Sequence, residues 1–387
     1  MNLALVGPTF PFRGGIAHYT AQLAEYLGQQ HAVRVYSFRR LYPNWLFPGR
    51  SQFEPGGAPL SQAASERWLV PWWPPSWRQV GRAWGEQKPD LVVLQWWVTF
   101  LAPMTAGLVA GAHRRHIPVV AICHNVLPHE HNQLDAGLAR LALGRMDGLV
   151  VHSASDQQAA QRLLPGQAVR AVAFPQYSAF RSDRWTREQA RQTLDVQGRV
   201  ILFFGFVRPY KGLPDLLRAL PAVLQDGPAQ LLVVGEIWEE AEADQQLVER
   251  LQLGANVRFV NRYVPNEDVG LYFAAADLVV LPYRHATGSA AAQLAFALGV
   301  PVVATRAGSL AETVEEGVTG YLAEPGDVAG LADAIRRFFR EAAAAPFRAA
   351  IAQRQSQSSW AGVAEAVLQF ARPAAAPNAE SGQRRAA

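Results

Sequence analysis

A single cysteine in 387 residues excludes an internal disulfide. Cys123 closes the apolar run Val119 to Cys123, and such a chain suits a reducing cytoplasm. There is no lysine- or arginine-rich block, and the net charge of +4 is mild, so nucleic acid is not an expected partner. The opening apolar stretch, Asn2 to Val6, stops at Gly7-Pro8, too short for the core of an export signal. No apolar run approaches the roughly 18 residues of a membrane span. These absences point to a soluble chain in the cytoplasm, at most peripheral at the inner membrane face. The G-x-G-x-x-G dinucleotide fingerprint is missing. His124, His129 and His131 lie close together, but no compact ligand set accompanies them, so no metal is expected.

What is present is globular: half of the residues are hydrophobic and 18% are charged. The length favours two domains over one core. Short apolar strands alternate with helical stretches through both halves. Strands are expected at Asn2–Val6, His31–Phe38, Leu91–Gln95, Pro118–Cys123, Gly148–His152 and Val169–Ala173. In the second half they are expected at Arg199–Phe204, Ala229–Val234, Asn256–Val260, Leu278–Leu281 and Pro301–Thr305. The fold class is therefore α/β, with two mostly parallel, doubly wound sheets. A hinge is placed near Phe174 to Asp183. That gives an N-terminal domain over 1–178, a second over 179–357, a last helix over 358–371 and a disordered tail over 372–387.

The centre of the chemistry is the stretch Arg199 to Gly212. A buried strand ends at Phe204, Gly205 turns the chain, and Arg208 and Lys211 precede a helix from about Leu213. Leu213, Leu216, Leu217, Leu220 and Leu224 fall on one face of that helix. Helix-terminal N–H groups, the macrodipole and two cations together suit an anion, here a diphosphate. The first half offers the loop Gly7 to Gly15, in which Gly14 and Gly15 either permit close approach of a ligand or simply make a tight turn. His124 lies just past a strand end, where open α/β sheets bind ligands. Eight of the eleven tryptophans fall between Tyr42 and Trp97. Among them, Trp72 and Trp73 in Pro71-Trp72-Trp73-Pro74-Pro75 are either core-packing loop residues or a wall for an acceptor at a sugar or lipid headgroup.

The order and spacing of several segments resemble retaining glycosyltransferases of family 4, with the GT-B fold. The segments are Gly14-Gly15, Phe204 to Arg208 with Lys211-Gly212, Val233-Val234-Gly235, Ala275 to Pro282, Gly299 to Gly308, Ala311-Glu312 and Gly317 to Leu322. The resemblance implies two Rossmann-like domains facing a central cleft, with acceptor in the first and donor in the second. It implies a nucleotide-diphosphate sugar as co-substrate, a glycan or lipid-linked acceptor, no cofactor and no metal. His124 would face the donor sugar, Arg208 and Lys211 the diphosphate, and Gly14, Gly15 and Gly205 would line the donor site. The chain departs from the family at its paired glutamates, whose positions hold Ala286 and Leu294. Thr287, Gly288 and Ser289, opening a helix, still offer N–H groups and hydroxyls to a phosphate, and Gln293 a neutral substitute. A sugar-nucleotide epimerase, a phosphorylase and a non-catalytic nucleotide-sugar-binding or scaffold subunit remain alternatives to transfer of a hexose.

Overall fold

The computed structural model describes residues 1–43, 47, 49–54, 64–127, 133–175, 180, 184–237, 241–286, 289–355 and 360–371. The first sheet holds β1 (Asn2–Val6), β2 (Ala32–Phe38), β3 (Ser65–Leu69), β4 (Leu91–Trp96), β5 (Val119–Cys123), β6 (Gly148–Val151) and β7 (Val169–Ala171). Their order is β3-β2-β1-β4-β5-β6-β7, and all neighbours are parallel. The second holds β8 (Arg199–Phe204), β9 (Ala229–Val234), β10 (Val257–Val260), β11 (Leu278–Leu281), β12 (Val302–Thr305) and β13 (Gly320–Ala323). Its order, β10-β9-β8-β11-β12-β13, repeats the same outward winding from a central pair, again with parallel neighbours. The chain is an α/β protein of two doubly wound lobes. In each, the strand order reverses beside the first strand, which opens a crevice at the strands' carboxyl ends.

The central strands are β-branched and aliphatic because helices cover both faces. Val92, Val93, Val120, Ile122, Val279 and Val280 have no exposure at all. Each such side chain contributes roughly 1.5–3 kcal/mol on leaving water. Edge strands read differently. β3 is Ser-Glu-Arg-Trp-Leu, with only Leu69 buried, and has no apolar alternation to announce it. It and β13 lie outside the strands expected from sequence. A further helix, Pro74–Gln87, rises from the tryptophan-rich stretch. Its two prolines occupy the first turn, where a missing N–H costs no helical hydrogen bond.

The expected last helix spans Trp360–Leu368, with Val363 and Val367 fully buried. Trp360 meets Tyr19 of the first lobe edge-on, 4.9 Å between ring centroids. Much of the proposed hinge and all of the tail over 372–387 lie outside the described residues. Among the described residues no helix is long and apolar enough to cross a membrane.

Candidate active site between the lobes

A cavity of about 370 Å³ opens between the two lobes. Its first-lobe wall includes Gly14, Gly15, His18, His124 and Asn125; its second-lobe wall includes Gly205, Lys211, Glu236, Tyr263, Tyr283 and Ser289. The floor on the second side follows from β8. The strand Arg-Val-Ile-Leu-Phe-Phe ends at Gly205, which turns at φ 102°. Gly235, after β9, turns at φ 144° and lies so close that a Cβ there would fall 2.0 Å from the Gly205 carbonyl oxygen. Only two glycines allow these loops to touch.

Beyond Gly205 the chain does not pass straight into a helix. Pro209–Lys211 forms a short 3-10 turn, and the helix Leu213–Leu224 follows with Leu213, Leu216, Leu217 and Leu220 buried. The turn folds Lys211 back beneath the glycine loop: Nζ lies 3.1 Å from where a Gly205 Cβ would stand. It also lies 5.4 Å from the Tyr283 ring centroid. Lys211 is only 9% exposed, although it lines the cleft. Burial, followed by repulsion from Arg208, lowers its pKa to about 7. Among the described residues no carboxylate pairs with it. Arg208 stacks over Tyr210 at 5.8 Å and is not one of the cleft-lining residues.

Across the cleft, His124 follows β5, and its Nε2 lies 2.7 Å from Gln95 Oε1. Burial and the neighbouring His152 hold its pKa well below the ordinary value, so the ring is neutral. His18, which sequence reasoning passed over, stands in the first turn of the helix Gly15–Gly28. Its ring meets Phe180 at 5.2 Å, and burial lowers its pKa to about 4. No hydrogen bond to its ring nitrogens occurs among the described residues, although the side chain lines the cleft. The sequence signal was available, since His18 follows Gly14-Gly15 on the helix face that opens to the loop.

The helix Ala290–Ala297 is capped by Ser289, whose Oγ accepts from Ala292 N at 3.2 Å. Ala290, Ala291 and Leu294 face the cleft, together with Ser289. Gln293, one helical position away, instead lines a neighbouring hollow of about 570 Å³ with His152, Glu312 and Arg354. Thr287 and Gly288 lie outside the described residues, as do His129 and His131. Trp72 and Trp73 are 42% and 57% exposed at the start of the helix Pro74–Gln87 and do not line the cleft. Trp72 approaches Phe100 at 6.5 Å. Among the described residues no three His, Cys, Asp or Glu side chains are placed to hold a metal ion.

The lobes are fastened by contacts that sequence spacing cannot reveal. Arg13 Nη1 donates to Glu236 Oε2 at 2.8 Å and Nη2 to Oε1 at 3.2 Å, with side chains 4% and 2% exposed. The guanidinium is ringed by Phe206 at 5.2 Å, Tyr263 at 4.8 Å and Phe47 at 5.5 Å. Arg50 N donates to the same carboxylate. Beside this pair, Tyr263 donates its hydroxyl to Glu54 Oε2 at 3.0 Å. Elsewhere along the cleft, Glu312 accepts from Ala154 N and Ser155 N at the start of the helix Ala154–Leu163, a position that favours an anion.

Comparison with known proteins agrees with this architecture. Residues 198–341 match the family described as glycosyl transferases group 1, and residues 13–175 match glycosyltransferase family 4. In fold, the chain is similar to HepE of Anabaena, solved with UDP and glucose (TM-score 0.74, 20% identity, 95% of this chain and 98% of that one). Sucrose-phosphate synthase of Thermosynechococcus elongatus superposes with a TM-score of 0.72 at 20% identity, over 95% of this chain and 98% of that one. Two parallel α/β lobes facing one cleft give the chain the two-domain fold of these solved structures, the GT-B fold. Among curated proteins it is similar to the D-inositol 3-phosphate glycosyltransferase of Corynebacterium jeikeium (strain K411), 39% identical over 163 residues, 40% of this chain and 38% of that one. The corresponding protein of a Nocardioides species is 35% identical over 214 residues, 51% of this chain and 46% of that one. The chain thus spans less than half the length of these curated relatives.

Proposed function

We propose that the chain is a retaining glycosyltransferase that moves a hexose-type sugar from a nucleotide-diphosphate sugar to a glycan or lipid-linked acceptor. The observation that carries this reading is Lys211, a buried amine with its pKa lowered to about 7, which lines the cleft under the Gly205 loop without a carboxylate partner among the described residues and which a bound diphosphate would hold protonated. Breaking the bond between a sugar and a diphosphate puts growing negative charge on the leaving group. A fixed cation and aligned N–H groups stabilise that charge most in the transition state. Ser289 and the start of the helix Ala290–Ala297 supply a second anion-favouring wall. Arg208, whose charge acts on Lys211 from outside the lining, adds to the positive potential there.

Neutral His124 and His18 contact the sugar ring and the incoming hydroxyl from the first lobe, and Gly14 and Gly15 let both approach the backbone. Leu294 stands on the cleft face of its helix where the resembling family carries a glutamate, so the nucleotide ribose meets an apolar side chain there. No cofactor or metal takes part in this scheme. Trp72 and Trp73 set the acceptor side against a glycolipid or the inner membrane face, their indoles lying at the headgroup boundary. The curated relatives suggest a phosphorylated polyol as a second acceptor class. Incubation with UDP-, GDP- and ADP-sugars, with and without a panel of glycans, lipid-linked glycans and inositol 3-phosphate, tests the proposal. Acceptor-stimulated release of nucleoside diphosphate is expected; binding without release from any sugar nucleotide refutes transfer.

A further inference from the structure

The crevice of the first lobe lies where β1 and β4 run side by side and the chain leaves them in opposite directions. Gly7 follows β1, Gln95 stands near the end of β4, and His124 follows β5. The Gln95 side chain passes over Gly7 with no space to spare. A Cβ at position 7 would fall 2.6 Å from Gln95 Cγ and 2.7 Å from Thr20 Oγ1. Glycine at 7 therefore sets the path by which the Gln95 amide reaches the histidine, where Oε1 lies 2.7 Å from Nε2.

The rest of the His124 ring is equally constrained. Tyr19 meets it edge-on at 4.7 Å, and the His152 ring lies 6.0 Å away. The backbone N of His124 donates to Trp96 O at 2.8 Å. Among the described residues nothing bonds to Nδ1, and the ring lines the cleft. We propose that Gln95 is a positioning residue: Nε2–H of His124 donates to its amide oxygen, and Nδ1 is thereby kept as the lone pair offered to a hydroxyl of the bound sugar.

A purely structural role fits Gln95 poorly. It is 5% exposed, and its own amide nitrogen is buried with no hydrogen-bond partner among the described residues. An orphaned buried donor is costly, and an apolar side chain of the same shape would avoid that cost. What the glutamine adds is the oxygen facing the histidine. The ring is neutral, so it has one N–H to place, and the partner of one nitrogen decides what the other presents.

The catalytic part of this inference rests on the transferase reading, whereas the tautomer does not. Long-range 1H–15N spectra of histidine-labelled full-length protein, with His124 assigned by its loss in His124→Asn, are expected to show the proton on Nε2. In Gln95→Met, which keeps length and removes the oxygen, the two tautomers are expected to mix. Donor-cleavage kcat should then fall tenfold or more, with donor KM within about twofold of wild type. Gln95→Glu retains an oxygen acceptor and should restore the Nε2–H signal. A wild-type proton on Nδ1 overturns the proposal, as does Gln95→Met with wild-type tautomer and kcat. If the methionine variant does not fold, the wild-type spectrum alone decides the tautomer. Failure of every sugar nucleotide to turn over would count against the transferase reading and leave the spectral result standing.

Discussion

Replacing Lys211 with methionine should make the protein more stable and nearly inactive. The folded chain holds this ammonium at a pKa of about 7 against an ordinary 10.5, with burial as the main cause. The unfolded chain keeps its proton up to about pH 10.5 and the folded chain only up to about 7. Between those values the unfolded state binds more protons, so this group makes stability rise with pH across that window. At neutral pH the folded state gives up on the order of 4 kcal/mol by keeping the lysine there. Methionine removes that cost and loses only the contact with the Tyr283 ring, about 1 kcal/mol. The net expectation is a gain of about 3 kcal/mol at pH 7, shrinking as pH rises toward 10. Turnover should move the other way, falling about 100-fold if Lys211 stabilises the departing diphosphate as an oxyanion-hole donor stabilises its oxyanion. Urea midpoints at pH 7 and pH 9, with initial rates on a cognate sugar nucleotide, read both quantities. A variant that is less stable at pH 7 and keeps its rate refutes the reasoning, because the lysine would then be serving the fold.

Other consequences follow from the seam between the lobes and from the exposed indoles. Arg13→Met takes the guanidinium counter-charge from the Glu236 carboxylate, which is 2% exposed and keeps the Arg50 N–H; the expected loss is about 3–5 kcal/mol in chemical denaturation, with a larger radius of gyration by X-ray scattering as the lobes part. Glu54 has its pKa raised to about 7 by burial, against 4.5 unfolded. The folded state therefore binds more protons between those values, and this carboxyl makes stability fall as pH rises from 4.5 to 7. Glu54→Gln keeps an acceptor for the Tyr263 hydroxyl and should show a smaller drop in melting temperature between pH 5 and pH 8 than wild type. The double variant Trp72→Ala and Trp73→Ala should weaken sedimentation with anionic liposomes or raise acceptor KM, with nucleotide affinity unchanged. Unaltered partitioning and acceptor KM would remove the indoles from acceptor binding.

The central strands were legible from sequence because a parallel sheet covered on both faces requires runs such as Arg-Val-Ile-Leu-Phe-Phe and Leu-Val-Val-Leu. β3 was not, because an edge strand with Glu66 and Arg67 toward solvent carries no period-two signal. The helix Pro74–Gln87 was hidden by its own start, where Pro74-Pro75 looks like a helix breaker until placed in the first turn. Within the site, Gly205 and Lys211 could be read from a local motif, since strand, turn and cation are contiguous. Arg13 and Glu236, 223 residues apart, could not, and neither could the contact between Gln95 and His124. The first pairing exists only once two sheets have formed and faced each other, the second only once β4 and β5 lie side by side in one sheet. Gln293 shows the limit of local spacing: one position along a helix turns a side chain into the adjoining hollow.

The claim that Lys211 grips a nucleoside diphosphate between the lobes is tested most directly by titration calorimetry with UDP and GDP at pH 8. Runs in two buffers of different ionisation enthalpy separate proton uptake from binding. The lysine is mostly neutral at that pH, so a bound diphosphate should draw about one proton onto it, and the uptake should vanish below pH 6 and in Lys211→Met. Binding of neither nucleotide, or binding with no proton uptake at pH 8, would contradict the account.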